Sequence, residues 1–279
     1  MSPQPFVPDG SPVEPPPPRK GARTIAAIPP ATLRELNAGR DETRTLVEWL
    51  AVDPAKLWKA VADDTGLPWD EEARTELREL ANAKAMARMR GVGALVDRVL
   101  RDRADREGVL KRLALHRSDV VRAWACYATV TPPRRTLKGL LPKVAPFACD
   151  PNMAVRECAW EALRPRVLAD LSTAIALYLP WTARKETGLR RCAVEGTRPR
   201  GVWTAHAKEL IADPEPGLEL LEPLKSDPER YVQDSVANWL NDASKTEPDW
   251  VRDVCRRWLR ESDSKATAYI ARRAQRSLK

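Results

Sequence analysis

The chain has 279 residues, with 47 Lys and Arg against 39 Asp and Glu for a formal net charge of +8, and 25 prolines against 12 glycines. The sixteen aromatics are biased toward tryptophan, and a background rich in Ala, Leu, Arg and Glu favours helix and excludes an all-β fold. No run of about 18 apolar residues occurs, and prolines stand where an apolar leader core would lie, so neither a membrane span nor a secretory leader is expected and cytoplasmic residence is.

Cys126, Cys149, Cys158, Cys192 and Cys255 are scattered singly, and His116 and His206 are the only histidines. This pattern supports no zinc spacing, disulfide framework or Cys-His nucleophile, and no metal or cofactor is expected. The charge is unevenly placed. Residues 1–110 carry 17 basic against 18 acidic side chains, residues 111–210 carry 18 against 8, and residues 211–279 carry 12 against 13. An excess confined to the middle hundred residues suits a polyanionic partner, the alternative being solubilising charge.

In chain order, residues 1–28 hold eight prolines, including Pro15 to Pro18, and read as a disordered tail. A helical N-terminal cap follows over 29–91. Thr32 and Glu35 have capping-box spacing, a helix is expected over Thr43 to Leu50, Gly66-Leu67-Pro68 breaks the helices through Trp58 and Val61, and one amphipathic run extends from Asp70 to Ala87. From residue 92 the sequence repeats. Val121, Val155 and Leu189 anchor copies 34 residues apart, a fourth begins at Tyr231-Val232 and a fifth spans Ala268 to Leu278. Units of this length are paired helices that bury their apolar faces by stacking, which predicts an all-α, HEAT-like repeat α-α solenoid with one concave face over 92–279.

Two repeats end alike, Glu161-Ala-Leu-Arg164-Pro165-Arg166 and Glu195-Gly-Thr-Arg198-Pro199-Arg200. Proline disfavours helix in the residue before it, so each helix is expected to finish near Arg164 or Arg198 with its glutamate facing the negative end of the dipole. Two compensations are open: an ion pair to the arginine three residues on, or a cationic ligand held by the carboxylates while the arginines face phosphate. Trp203, outside a helix end, is expected to be exposed and able to stack on a cation. Asn238 and Asn241 suit either a ladder capping backbone groups or a polar site, and Asp242 is less easily explained as a cap. Tyr127 occupies the register of the two glutamates in the first repeat. Trp49, Trp58, Trp124, Trp160, Trp250 and Trp258 read as core.

The strings Leu46-Val-Glu-Trp-Leu-Ala-Val-Asp53, Glu195-Gly-Thr-Arg-Pro-Arg200, Leu210-Ile-Ala-Asp-Pro214 and Ser235-Val-Ala-Asn-Trp-Leu-Asn-Asp242 together resemble the AlkC branch of the AlkC/AlkD superfamily of bacterial DNA glycosylases, over about residues 26–262. The resemblance implies a repeat protein that binds alkylated duplex DNA and hydrolyses the N-glycosidic bond of cationic bases (3-methyladenine, 3-methylcytosine, 1-methyladenine) without flipping them. Carried over by position, its groove residues are Glu161, Glu195, Trp203 and Asp242. Trp160, Gly201-Val202 and Trp239 depart from the family's usual residues, and the sequence as given ends without the immunoglobulin-like domain some members carry.

An N1- or N3-alkylated base is already positive and leaves neutral, so the carboxylates serve the oxocarbenium-like sugar and orient water. Arg156, Arg164, Arg166, Arg190, Arg198, Arg200 and Asn238 are expected to contact DNA, chiefly at phosphates. A monofunctional glycosylase acting as a monomer on double-stranded DNA is the favoured reading. The alternative is a non-catalytic HEAT-like scaffold binding DNA or an acidic protein.

Overall fold

The computed structural model describes residues 19–278, and among these every regular element is helical. The helices in chain order are α1 (Pro30–Asn37), α2 (Leu46–Ala51), α3 (Pro54–Thr65), α4 (Glu71–Ala81), α5 (Ala85–Leu100), α6 (Arg106–Ala114), α7 (Asp119–Val130), α8 (Leu137–Ala148), α9 (Met153–Ala169), α10 (Leu171–Thr182), α11 (Thr187–Thr197), α12 (Lys208–Ala212), α13 (Glu215–Leu221), α14 (Arg230–Ala243), α15 (Pro248–Glu261) and α16 (Lys265–Ala274). Two compact units result. One comprises residues up to 135 with 150–162, the other 136–149 with residues from 163 onward.

Capping chemistry sets many helix ends. Asp53 accepts from the Ala55 and Lys56 amides at the start of α3, Asp70 accepts from Ala73 to open α4, and Gly66 at φ +81° closes α3 in the left-handed region. The start expected at Thr32 moves to Pro30, whose fixed φ and missing N–H suit a first helical residue. The helix expected from Thr43 to Leu50 begins at Leu46, with Thr45 as its cap. The run expected from Asp70 to Ala87 is broken between α4 and α5, where the Asn82 and Ala83 amides close α4 with bonds three residues back. The 91/92 division between cap and repeats falls within α5, which packs on both α4 and α7, so cap and first repeats share one unit. Of the expected tail, residues 1–18 lie outside the described part. Arg19 is anchored instead, donating to Asp41 at 2.8 Å and Glu48 at 2.7 Å.

In the first unit Trp58 and Trp124, both fully buried, meet at 5.8 Å between ring centroids. In the second, α15 shows how pattern becomes packing. Val251, Val254, Cys255 and Trp258 fall at the spacing of one helical face and are buried, while Arg256 between them is exposed. Trp239, whose position is usually polar in the resembled family, is core: a Cβ on Gly217 would lie 2.1 Å from its ring, so only glycine admits it.

The repeat period has a hydrogen-bonded basis. Arg122 Nη1 donates to the carbonyls of His116 and Arg117, six and five residues back, and Nε and Nη2 grip Asp150 at 2.7 and 2.9 Å. Arg156 Nη1 likewise donates to the carbonyls of Asp150 and Pro151 at 2.6 and 2.8 Å. Arg190 repeats the arrangement on the Arg184 and Lys185 carbonyls and grips Asp227 at 2.6 and 3.1 Å. In the fourth copy Gln233 donates to the Asp227 carbonyl at 2.8 Å. Both Arg156 and Arg190, expected at phosphate, tie the turn before a helix to the helix itself, and Arg190 is buried with all its donor nitrogens engaged by protein. Part of the basic excess in the middle of the chain therefore serves backbone carbonyls.

Burial in the first unit produces two opposed titrations. Lost hydration, then the Arg122 charge, lowers His116 from 6.5 to about 4, and its Nδ1 accepts from the Ser118 amide at 3.0 Å. Lost hydration raises Asp119 from 3.8 to about 6 despite its bonds to Thr43. Between about pH 6.5 and 4 the unfolded chain protonates its histidine first, which removes stability as pH falls. Between about pH 6 and 3.8 the folded chain protonates Asp119 first, which restores it. Each effect is about 3 kcal/mol. His116→Asn keeps an acceptor for Ser118 and removes only the first. Urea unfolding is therefore expected to show the variant gaining about 2–3 kcal/mol relative to wild type between pH 7 and pH 4; a constant difference contradicts the assignment.

Candidate active site

In the second unit, α11 stops at Thr197 because Arg198 adopts extended backbone ahead of Pro199, as the sequence suggests. Glu195 is thereby left in the last turn, 3% exposed. Its unfavourable position against the helix dipole is answered by Arg198 Nη1, which donates to Oε2 at 3.1 Å, and by Arg191, 3.8 Å from Oε1 and stacked on Tyr231. The same Arg198 reaches α14, where Nε and Nη2 lie 2.9 and 2.8 Å from Asp242 Oδ2. One guanidinium thus bridges two acids from neighbouring repeats. Burial opposes the Arg198 charge, but Glu195 and Asp242 outweigh it and raise its pKa.

Asp242, 4% exposed, has a further cation: Lys245 Nζ is 3.3 Å from Oδ1, and that lysine side chain is about half exposed. Arg200 donates to the Asp242 carbonyl at 3.3 Å. Asn238, one turn before Asp242, accepts from Arg276 Nη2 at 2.9 Å. Asn241 caps: its amide donates to the Ala274 carbonyl at 3.0 Å.

Trp203 is 57% exposed, as expected, beside an equally exposed Val202. It is the one non-glycine residue at positive φ among the described residues, at +64°, a conformation that costs a tryptophan about 1–2 kcal/mol. The loop holding it is pinned at both ends. Ala207 donates to the Pro199 carbonyl at 2.9 Å, and Arg164 donates to the carbonyls of Gly196 (2.8 Å), Arg198 (2.6 Å) and Ala205 (3.1 Å). Arg164 has no solvent exposure, and lost hydration lowers its pKa to about 10. The phosphate contact expected of it is corrected: every donor faces the protein. Arg166 is half-buried, and burial lowers its pKa.

In the first unit, Glu161 is 2% exposed, accepts from Tyr127 Oη at 2.7 Å and pairs with Arg90, whose side chain is about half exposed. Neither the helix end expected at Arg164 nor the ion pair to it occurs, since α9 runs through Pro165 to Ala169 and Arg164 is engaged elsewhere. Tyr127 therefore serves the next glutamate in its register. Sequence reasoning missed Arg90 and Lys245, which lie outside the repeated string; an unmatched lysine three residues after Asp242 was the available signal. No three His, Cys, Asp or Glu side chains converge to hold a metal, and no helix is long and apolar enough to cross a membrane, among the described residues.

The chain is an all-α helical-repeat protein, and in its second unit the buried Glu195 and Asp242 are held by one guanidinium, with an exposed tryptophan on the loop that follows α11. Residues 149–278 match the family model described as DNA alkylation repair enzyme. A stretch of 117 residues, 42% of the chain, is 42% identical to uncharacterized protein YhaZ of Bacillus subtilis (strain 168) and covers 32% of it. The solved alkylpurine DNA glycosylase AlkC of Pseudomonas fluorescens, bound to DNA containing an abasic site analog, superposes with TM-score 0.64 and 28% identity, over 80% of this chain and 62% of that one. AlkD2 from Streptococcus mutans shares the fold at TM-score 0.53 and 20% identity, over 78% of this chain and 95% of its own. The chain spans about a third of its curated relative and less than two thirds of the AlkC chain. Over residues 149–278 the chain is similar to the DNA alkylation repair enzyme family, and its helical fold is similar to that of AlkC.

Proposed function

We propose that the protein is a DNA glycosylase of alkylation repair, monofunctional and monomeric in the cytoplasm, that releases cationic N3- or N1-alkylated bases from duplex DNA without flipping them. The observation that carries this reading is the convergence of Glu195 and Asp242 on Arg198 beneath the half-exposed Lys245, with Trp203 exposed on the adjoining loop. The C1′–N bond breaks with its electron pair going to the positively charged base, which departs neutral. A carboxylate then faces the oxocarbenium-like sugar, water adds at C1′, and the carboxylate takes up the proton. Lys245 is a suitable placeholder, because a mobile ammonium on Asp242 exchanges for a positive sugar without leaving the acid unpaired. Trp203 offers its ring face to sugar or base.

The scaffold alternative draws on the same ion pairs, since Glu195 and Asp242 are only 3% and 4% exposed. Incubation with a duplex carrying one 3-methylcytosine or 3-methyladenine separates the readings. Free base and an alkali-labile site, with no nick before alkali, are expected; a panel of alkylated bases yielding neither overturns the glycosylase reading.

A further inference from the structure

The α14 and α16 helices pack along a polar seam. Arg230, Asp234 and Asn238 succeed one another at four-residue steps, so one face of α14 presents all three over about 12 Å. From the other side, the Arg230 guanidinium lies 3.3 Å over the ring of Tyr269, and that of Arg272 lies 5.7 Å from it. Tyr269 Oη donates to Asp234 at 2.5 Å, and Arg273 lies 3.2 Å from the same oxygen. Arg276 donates to Asn238 Oδ1 at 2.9 Å and to the Arg273 carbonyl at 2.8 Å. The seam thus has one carboxylate, Asp234, for four guanidiniums, and it is already shared. Among the described residues Arg230, Arg272 and Arg276 have no carboxylate in ion-pair contact.

We infer that this seam is a track for the DNA sugar-phosphate backbone, with Arg276, seated by Asn238, on the phosphate beside the nucleotide whose sugar meets Asp242, and with Arg230 and Arg272 on phosphates farther along the strand. The inference rests on the DNA reading above. A guanidinium stacked on a tyrosine keeps edge donors for bidentate contact with phosphate oxygens, Arg230 giving only Nη1 to Gln233 at 3.4 Å, and seating by an amide fixes the direction of Arg276 without neutralising it. Burial and the like charge of Arg273 lower the Arg276 pKa against the opposing charge of Asp242. Several arginines expected at phosphate are occupied: Arg164 and Arg190 serve carbonyls and Asp227, and Arg198 is shared by two acids.

Binding of the full chain to a fluorescein-labelled, undamaged duplex, measured against salt concentration, tests this. Each lost phosphate contact lowers the slope of log K against log[salt] by about 0.9. Arg276→Gln is expected to lower it by about one and Arg230→Gln with Arg276→Gln by about two, while Arg256→Gln, whose arginine pairs with Asp253 on α15, leaves it unchanged. Phenylglyoxal labelling of the wild-type protein supplies a readout free of folding effects: the duplex should protect Arg230, Arg272 and Arg276 but not Arg256. An unchanged slope in the folded double variant, or equal labelling with and without DNA, overturns the track. Base release by wild type is scored separately, so a protein that binds with these slopes and releases no base keeps the track and loses the glycosylase reading.

Discussion

Glu195→Gln and Asp242→Asn are each expected to slow base release from a 3-methylcytosine or 3-methyladenine duplex by 10²–10³, about 2.7–4 kcal/mol, the scale of losing a preorganised electrostatic group. Both variants keep an acceptor oxygen for Arg198, and in each the guanidinium retains its second carboxylate. The bridge therefore loosens without leaving a buried cation wholly unpaired, and most of the effect should fall on the chemical step. Single-turnover rates with saturating enzyme isolate that step. Because the acids share one partner, the double variant should lose much less than the product of the single losses. The salt slope of duplex binding should stay at its wild-type value, since neither acid contacts phosphate. Rates within threefold of wild type for both variants would mean that the ion pairs serve only the fold, the outcome favoured by the scaffold alternative.

The repeats were legible because their period is imposed by chemistry that recurs in the sequence. Arg122, Arg156 and Arg190 stand 34 residues apart, each tying down the turn before its own helix. What the sequence hides is the acceptor. A backbone carbonyl leaves no trace in the residue letters, so Arg164 and Arg190 look like available cations although protein surrounds both. The signal that distinguishes them is the register itself: an arginine recurring at one repeat position, followed by Asp150 or Asp227 before the next helix, is engaged by the fold. Proline misled in the same way. Pro199 ends a helix, but Pro165 lies inside α9, as Pro142, Pro146 and Pro180 lie inside theirs, because packing along the whole helix outweighs one missing backbone bond. The acid pair of the second unit was legible as residue types. The guanidinium joining them was legible only as a neighbour of Glu195, since Asp242 lies 44 residues from Arg198 along the chain.

Arg164→Met is expected to be the most damaging change to the second unit. Methionine has comparable reach and no charge, so it recovers the hydration lost when the guanidinium is buried, about 3 kcal/mol for a fall from 12.5 to about 10. Against this stand charge-assisted bonds to three carbonyls, each supplying about 1.5–3 kcal/mol, and the Gly196 carbonyl would remain buried without a donor. The bonds win, and a net loss of about 3 kcal/mol should appear as a lower urea midpoint. Lysine should not rescue it, because an ammonium cannot reproduce the planar fork that reaches Gly196, Arg198 and Ala205 together. The consequence extends to Trp203, whose left-handed backbone persists only while both ends of its loop are held. Without Arg164 the loop relaxes, the tryptophan leaves its position, and base release should fall even under conditions where the variant is fully folded. Wild-type rates in a folded Arg164→Met protein would separate the buried arginine from the site.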